Sequence, residues 1–391
     1  MAQRNGQHGS TGNSGGKIVL LGATGFTGRL TAEAMVRAGL APVLAGRNPE
    51  RLQDLTRELS RIAPAGKAPT WEQADATIPE SVIGLVSDPT DVLVSTAGPF
   101  SVVGAPAVRA AINAGCTYID STGEAGFIRQ VFEQSEQAAV SGARLIPACG
   151  YDFIPGNFAG ALALRNCRDR GDIPASIDIG YFTRGPMSMS SGTQASAIAS
   201  LGATGYQFRD GVLKSAALGT EFGEFTLVDG KKVGGISIGG TEQFGLPAMS
   251  PSLLDVNVFL GWAGRWSKPI SKVARVTQVF NKIPGSSVLT QRVTDRAMGT
   301  TGEGPTGSDL FRGTSIAVAR VRDLVGRPLE TVQVEGPAPY PLTAELLAWA
   351  AAMAAAGKVR GAGALDPISA FGLGPFLAGC AAVGLHQVRY T

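Results

Sequence analysis

Seven residues near the start of the chain, Gly22-Ala23-Thr24-Gly25-Phe26-Thr27-Gly28, have the types and spacing to hold a phosphate-bearing ligand. They follow a short apolar run, Ile18 to Leu21, that reads as a strand buried on both faces, and they open a helical pattern over Phe26 to Ala38 closed by Gly39. In that setting Gly22 permits the tight turn, Gly25 lets the backbone approach a pyrophosphate, and Gly28 lets the helix pack closely on the strand. The unpaired N–H groups and the dipole of the helix start favour an anion. In a chain with 53 glycines a bare Gly-x-x-Gly-x-x-Gly would mean only a turn. The strand-turn-helix context makes it a dinucleotide loop.

The second strand, Val43 to Ala45, sharpens the ligand. An NAD site usually places an acid near this strand end for the ribose 2′-hydroxyl, whereas here the sequence runs Ala45-Gly46-Arg47-Asn48. Arg47 suits a 2′-phosphate, and Arg51, from the following helix, adds a second donor. The expected cofactor is therefore NADP. Asp75, at the end of the third strand, could meet the adenine amino group or cap a helix. Thr96, Ala97, Gly98 and Pro99 end the fourth strand, at the carboxyl edge where such sheets bind ligands.

Candidate acid–base groups follow the later strands. Tyr118, Asp120 and Glu124 come after the fifth strand and could orient nicotinamide, substrate or water, or form a loop network capping the next helix. Tyr151 and Asp152 end the sixth. A hydroxyl bonded to a carboxylate there could give a proton to the carbon or oxygen made anionic by hydride arrival; a structural Tyr–Asp pair reads the same way. Ser191 and Thr193, ahead of an apolar helix, could bind a carbonyl or carboxylate, or simply cap. Histidine chemistry is improbable, because His8 and His386 both lie near the termini. Cys116, Cys149, Cys167 and Cys380 form no CxxC pair and no cluster, so no metal site is expected and a reducing cytoplasm fits. No tyrosine has a lysine four positions on, no Walker A run occurs, and Gly12-Asn-Ser14-Gly-Gly16 imitates a nucleophile elbow only in the tail. With 34 basic and 31 acidic residues and no basic block, nucleic acid is not an expected partner.

The elements that must position these groups alternate regularly. Further strands fit Thr70 to Ala74, Asp91 to Thr96, Thr117 to Asp120 and Ala143 to Pro147. Helices fit Asn48 to Leu59, Glu80 to Val86, Ala105 to Ala114 and Gly126 to Val140. This is the pattern of an α/β, Rossmann-type, doubly wound parallel sheet. After Pro155 the rhythm breaks. Ile177 to Thr183, Phe225 to Val228, Lys232 to Ile238, Leu253 to Leu260 and Ser315 to Val321 read as strands of an inserted α+β substrate domain, with a hairpin at Asp229-Gly230. The expected division is a disordered leader (1–16), the NADP-binding domain (17–155), the substrate and oligomerisation domain (156–335) and a helical return (336–391). Pro367 to Leu385 is long enough to span a bilayer, but its Pro and four Gly favour a packed, turn-containing segment.

Together, Gly22 to Gly28, Ala45-Gly46-Arg47, Gly98-Pro99-Phe100, Ala114 to Glu124, Cys149 to Pro155, Ser191-Gly192-Thr193, Tyr340 to Thr343 and Gly361 to Phe371 resemble the saccharopine dehydrogenase-like oxidoreductases, nearest to the trans-acting enoyl reductases. The resemblance implies a nucleotide-binding domain completed by the C-terminal segment, with a substrate domain between. It further implies an NADPH-dependent reductase acting on an activated C=C of a lipid, polyketide or other secondary-metabolite intermediate. Relatives commonly carry Gly-Phe-Asp-Ser-x-Pro-Ser-Asp where this chain has Tyr151, Phe153, Gly156 and Asn157, so the domain-joining loop differs. The expected partner is an apolar or thioester-linked small molecule, with Phe208, Phe222, Phe225, Phe244, Phe259 and Trp262 as lining or core, and a homodimer through the middle-domain sheet. The rival readings are an imine or ketone reductase of the saccharopine-reductase type and a non-catalytic NADP sensor or scaffold. An imine substrate would call for clustered charges, which Arg184, Arg209 and Glu221 do not evidently supply.

Overall fold

The computed structural model describes residues 16–185, 204–261, 267–268, 271–272 and 310–389. Its first layer grows from short apolar runs that bury both faces of a strand. β1 (Ile18–Leu21), β2 (Val43–Gly46), β3 (Thr70–Gln73), β4 (Val92–Ser95), β5 (Thr117–Asp120) and β6 (Arg144–Ile146) pair in parallel in the order β3-β2-β1-β4-β5-β6. A two-residue strand from far down the chain, Gly363–Ala364, adds beyond β6. Alternation splits the sheet cleanly. Leu20, Val94, Ile119 and Ile146 face one helical layer with Met35 and Leu346, while Val19, Leu93, Tyr118 and Leu145 face another with Val108 and Phe127.

The helices end where local chemistry ends them. α1 (Phe26–Arg37) starts at Gly25, and α2 (Pro49–Ser60) is capped by Asn48, whose side chain accepts the Arg51 N–H. The long helix expected over Gly126 to Val140 is two, Ala125–Glu133 and Ser135–Ser141, broken at Gln134. The stretch after Pro155 differs from expectation too. The helix Ile154–Arg170 runs through it, so residue 155 lies in the first turn of a helix that packs on the second sheet.

That second sheet is mixed. The strand Ser176–Arg184 lies at its centre, parallel to Asp255–Leu260 on one side and antiparallel to Thr314–Arg322 on the other. Lys232–Ile238 and Phe222–Thr226 extend one edge, and Pro328–Gly336 and His386–Val388 extend the other. A hairpin, Thr204–Arg209 with Val212–Ala217, attaches beside Asp255–Leu260. The helix Ile154–Arg170 covers the face that carries Ile177, Ile179, Ala317 and Val332; Phe182, Phe225, Phe259 and Val318 form a small core on the other. The C-terminal helix Pro339–Ala355 returns to pack on α1, and Pro367 to Leu385 folds as two helices, Pro367–Phe371 and Leu373–Ala382, that break at Gly372. Among the described residues no helix is long and apolar enough to cross a membrane.

Contact of α1 with β1 depends on Gly28, where an added Cβ would sit 2.1 Å from the Gly22 carbonyl oxygen. Gly28→Ala is expected to destabilise by about 1–3 kcal/mol, since backbone on both sides must move. Gly126→Ala, at a helical position with open space around it, is expected to be neutral or to stabilise by about 0.4–1 kcal/mol. Urea-unfolding midpoints of the two variants check both.

Candidate functional site

The carboxyl edge of the parallel sheet gathers most of the motif residues. Leaving β1, Gly22 adopts φ +85°, a region closed to most side chains, and its N–H and that of Ala23 both donate to the Ala45 carbonyl. A Cβ here would also meet the backbone of Thr96 and Ala97 at 3.0 and 2.9 Å, so the turn after β1 rests directly on the turn after β4. The Thr96 hydroxyl lies within reach of the Leu21 and Gly22 carbonyls and braces the same turn. Gly25 is exposed and caps α1 with no side chain, which leaves the first N–H groups of the helix, from Phe26 and Thr27, open for an anion. Thr24 lies against Gly46, and Phe26 meets Tyr340 of the returning helix edge-on at 4.9 Å.

Beyond β2, Arg47 is exposed and makes no ion pair among the described residues, whereas the Arg51 guanidinium reaches back to the Thr24 carbonyl at 3.1 Å. Both residues lie on the β2 side of the loop. Asp75 is drawn into an Asx turn. One carboxyl oxygen accepts the Thr77 N–H and hydroxyl, and those bonds hold its pKa below the usual carboxylate range. Its role as a helix cap is not realised, because the next helix, Pro79–Ile83, is capped at Ile78. Gly98 is exposed at the end of β4 and joins Pro99 through a cis peptide.

On the other side of the loop the structure reassigns several candidates. Tyr118 is wholly buried in the core between β5 and its covering helices, so it does not face a ligand. Burial pushes its phenol well above the ordinary range. Glu124 is buried as well, and its two carboxyl oxygens accept the Phe100 and Ser101 N–H groups. It holds the Gly98-Pro99 turn from behind. Tyr151 does not bond to Asp152. Its hydroxyl donates to the Phe182 carbonyl at 3.1 Å in the second sheet, and its N–H donates to Thr343. Ser191, Thr193 and Trp262 lie outside the described residues. Phe225 and Phe259 are core, and Phe244 stacks on Phe132 at 3.7 Å.

What the edge does present is Asp152. It stands where a Cβ on exposed Gly123 would be 2.8 Å from its Oδ2, and its buried Oδ1 has no partner. Burial pushes its pKa up to about 7. Asp120, one strand over, accepts the Ala148 and Thr122 N–H groups through one oxygen and has the Tyr118 hydroxyl beside its carboxyl; burial carries it up to about 6. From the second domain come two residues that no sequence signal marked. Glu242 starts the helix Glu242–Met249 and is fully buried against the Tyr181 hydroxyl. A lone Glu after Gly-Gly-Thr reads as a first-turn acid, and its tyrosine partner is 61 residues away.

The close approach at Gly22 and Gly28 and the open helix start give the loop a geometry that fits a dinucleotide. Three comparisons bear on it. Residues 18–144 match the family model of the saccharopine dehydrogenase NADP binding domain. The trans-acting enoyl reductases of Mycobacterium tuberculosis and Mycobacterium leprae are 41% and 40% identical to the chain over 143 residues. The stretch matched to the first is 35% of this chain and 33% of that relative, so the match spans about a third of the curated relatives' length. A solved saccharopine dehydrogenase (L-Glu forming) from Saccharomyces cerevisiae superposes with a TM-score of 0.59 at 13% identity, covering 96% of this chain and 99% of that one. Residues 18–144, which carry β1 to β5, are thus similar to the saccharopine dehydrogenase NADP binding domain, and the chain has the two-sheet fold of saccharopine dehydrogenase.

Proposed function

We propose that this protein is an NADPH-dependent reductase of an activated carbon–carbon double bond, carried by an apolar or thioester-linked small molecule, with Asp152 as its proton donor. The observation that carries the reading is the Asp152 carboxyl, an acid with a pKa of about 7 and an unpartnered oxygen, set beside exposed Gly123 on the sheet edge that holds the glycine loop. In doubly wound sheets a dinucleotide crosses this edge at the switch point, here between β1 and β4. Arg47 lies to one side, and Gly98, Gly123 and Asp152 lie to the other, the redox side.

Gly22, Gly25 and the N–H groups that open α1 would hold the pyrophosphate, Arg47 and Arg51 the 2′-phosphate, and Thr96 to Pro99 would border the ring. Bound NADPH supplies the hydride. Asp152 in its acid form has a proton to give to the carbon or oxygen that reduction leaves anionic, and regains it from solvent between turnovers. Tyr151 serves geometry instead, because its hydroxyl proton is directed at Phe182. The names of the mycobacterial relatives favour C=C over C=N. So do the charges of the second domain. Arg209 pairs with Glu221 at 2.6 Å and Arg184 pairs with Asp229 and Glu335, which leaves neither to grip a zwitterion.

Two measurements test the reading. Arg47→Ala is expected to weaken NADPH binding by about 10–100-fold while changing NADH little, as loss of a charge-assisted contact would; equal losses for the two cofactors would refute the 2′-phosphate role. Asp152→Asn is expected to lower kcat by about 10²–10⁴-fold on an enoyl thioester with NADPH affinity kept. Because Asp152 acts in its protonated form, wild-type kcat/KM should be level below pH 7 and fall as pH rises through about 7. A profile that rises over that interval removes Asp152 as the donor, and silence on enoyl thioesters, enones, ketones and imines despite tight NADPH binding favours a sensor.

A further inference from the structure

The Tyr181 hydroxyl stands at the centre of three short contacts. It accepts the Gly156 N–H at 2.8 Å, lies 2.9 Å from the Phe153 carbonyl, and touches Glu242 Oε1. A phenol has one proton to give. If Glu242 were a carboxylate, that proton would go to it, and the phenol would face the Phe153 carbonyl acceptor to acceptor. If Glu242 is a neutral acid, it donates to the phenol, the phenol donates to Phe153, and all three contacts run from donor to acceptor. The remaining oxygen of Glu242 is buried without a partner, where a Cβ on Gly240 would be 2.4 Å away. No cation among the described residues pairs with Glu242 or Asp152.

The other groups packed around this acid do not supply a countercharge. Tyr206 donates to the Gly240 carbonyl, and Asn157 donates to the Phe153 carbonyl and to Thr241. Asp366, against Gly245 of the same helix, spends one oxygen on the Ile368 and Ser369 N–H groups. Arg129, on the side of Tyr206, is held by Glu133 and Ser215. An isolated ionised carboxylate in such a place is costly, and the neutral form is the remedy.

We propose that Glu242 is kept as a neutral carboxylic acid which, through Tyr181, fixes the carbonyl that follows Asp152 and so positions the Asp152 carboxyl. Glu242 touches no substrate in this arrangement; it is a positioning residue. Burial, with Asp152 adding to it, raises its pKa to about 8, although the Tyr181 contact pulls the other way. Only the catalytic consequence rests on the reductase reading. The protonation of Glu242 stands apart from it.

Glu242→Gln mimics the neutral acid, because its amide donates to the phenol as the acid would. A group raised in the folded state contributes stability that is present at low pH and lost as pH rises through its folded value. Between pH 5.5 and 7.5, below about 8 and above the value of an unfolded glutamate, the wild-type folding constant measured by urea titration of the full chain is therefore expected to drop about tenfold more per pH unit than that of Glu242→Gln. Parallel curves, or failure of Glu242→Gln to fold, would overturn the proposal. For positioning, kcat on an enoyl thioester should fall about tenfold in Glu242→Leu with NADPH affinity kept, and Glu242→Gln should recover it; equal losses in the two variants refute the positioning role. If the wild type turns over nothing, the reductase reading fails and the stability comparison still decides the protonation of Glu242.

Discussion

The ten residues from Ala148 to Asn157 fasten the two sheets together, and the site exists only because they do. Buried backbone groups must find partners, and here they find them on both sides of the junction. Asp120 takes the Ala148 N–H on its carboxyl and the Cys149 N–H on its carbonyl, which ties the segment to β5. Thr343 takes the Tyr151 N–H from the returning helix, Phe182 takes the Tyr151 hydroxyl, and Tyr181 takes the Gly156 N–H. Ala148 sits at φ +58°, a conformation that a residue with a Cβ keeps only when its surroundings insist on it. The two bodies cannot slide past one another without breaking these bonds. The position of Asp152 is thus set by the same contacts that hold the fold.

Three carboxyl groups border this junction, Asp120 and Glu242 buried and Asp152 partly exposed, and Asp152 and Glu242 each have one oxygen with no hydrogen-bond partner among the described residues. Their pKa values are all raised, with burial as the first cause. They differ in what opposes it. Asp120 has two backbone N–H donors and stays lowest, while Asp152 has no such donor and lies near neutrality. An enzyme without histidine in its core needs an acid that is protonated near pH 7. A carboxyl group with no donor or cation beside it among the described residues meets that need.

Much of the parallel sheet was legible because its strands are buried on both faces and write themselves as short apolar runs, as at Ile18–Leu21 and Val92–Ser95. β3 was faint for a physical reason, since as an edge strand all four of its residues are exposed. The helix Ile154–Arg170 left no clear mark because twelve of its seventeen residues are buried, so the polar stripe that marks an amphipathic helix is lacking. The strand Pro328–Gly336 and the hairpin at 204–217 are not among the expected strands, because most of their residues are exposed or only half-buried and write no apolar run. For the site, the glycine loop could be read because its chemistry is local. The roles of Tyr118, Glu124 and Tyr151 could not, because each depends on a partner that only the fold brings near: the helices over β5, the Phe100 and Ser101 amides, and the Phe182 carbonyl. The pairing of Tyr181 with Glu242 is beyond sequence reading for the same reason.

The direction of these shifts also bears on what the site can accept. A cationic substrate, such as a protonated imine, would stabilise the carboxylate forms of Asp152 and Glu242 and pull both acids below neutrality. Asp152 would then meet its substrate already deprotonated, the wrong state for a donor. A neutral carbonyl-activated alkene leaves the acids as burial sets them, and a neutral acid can both donate to a carbonyl oxygen and yield a proton when charge develops there. With no cation paired to it among the described residues, Asp152 therefore suits a substrate that becomes negative during the reaction. It does not suit one that arrives positive.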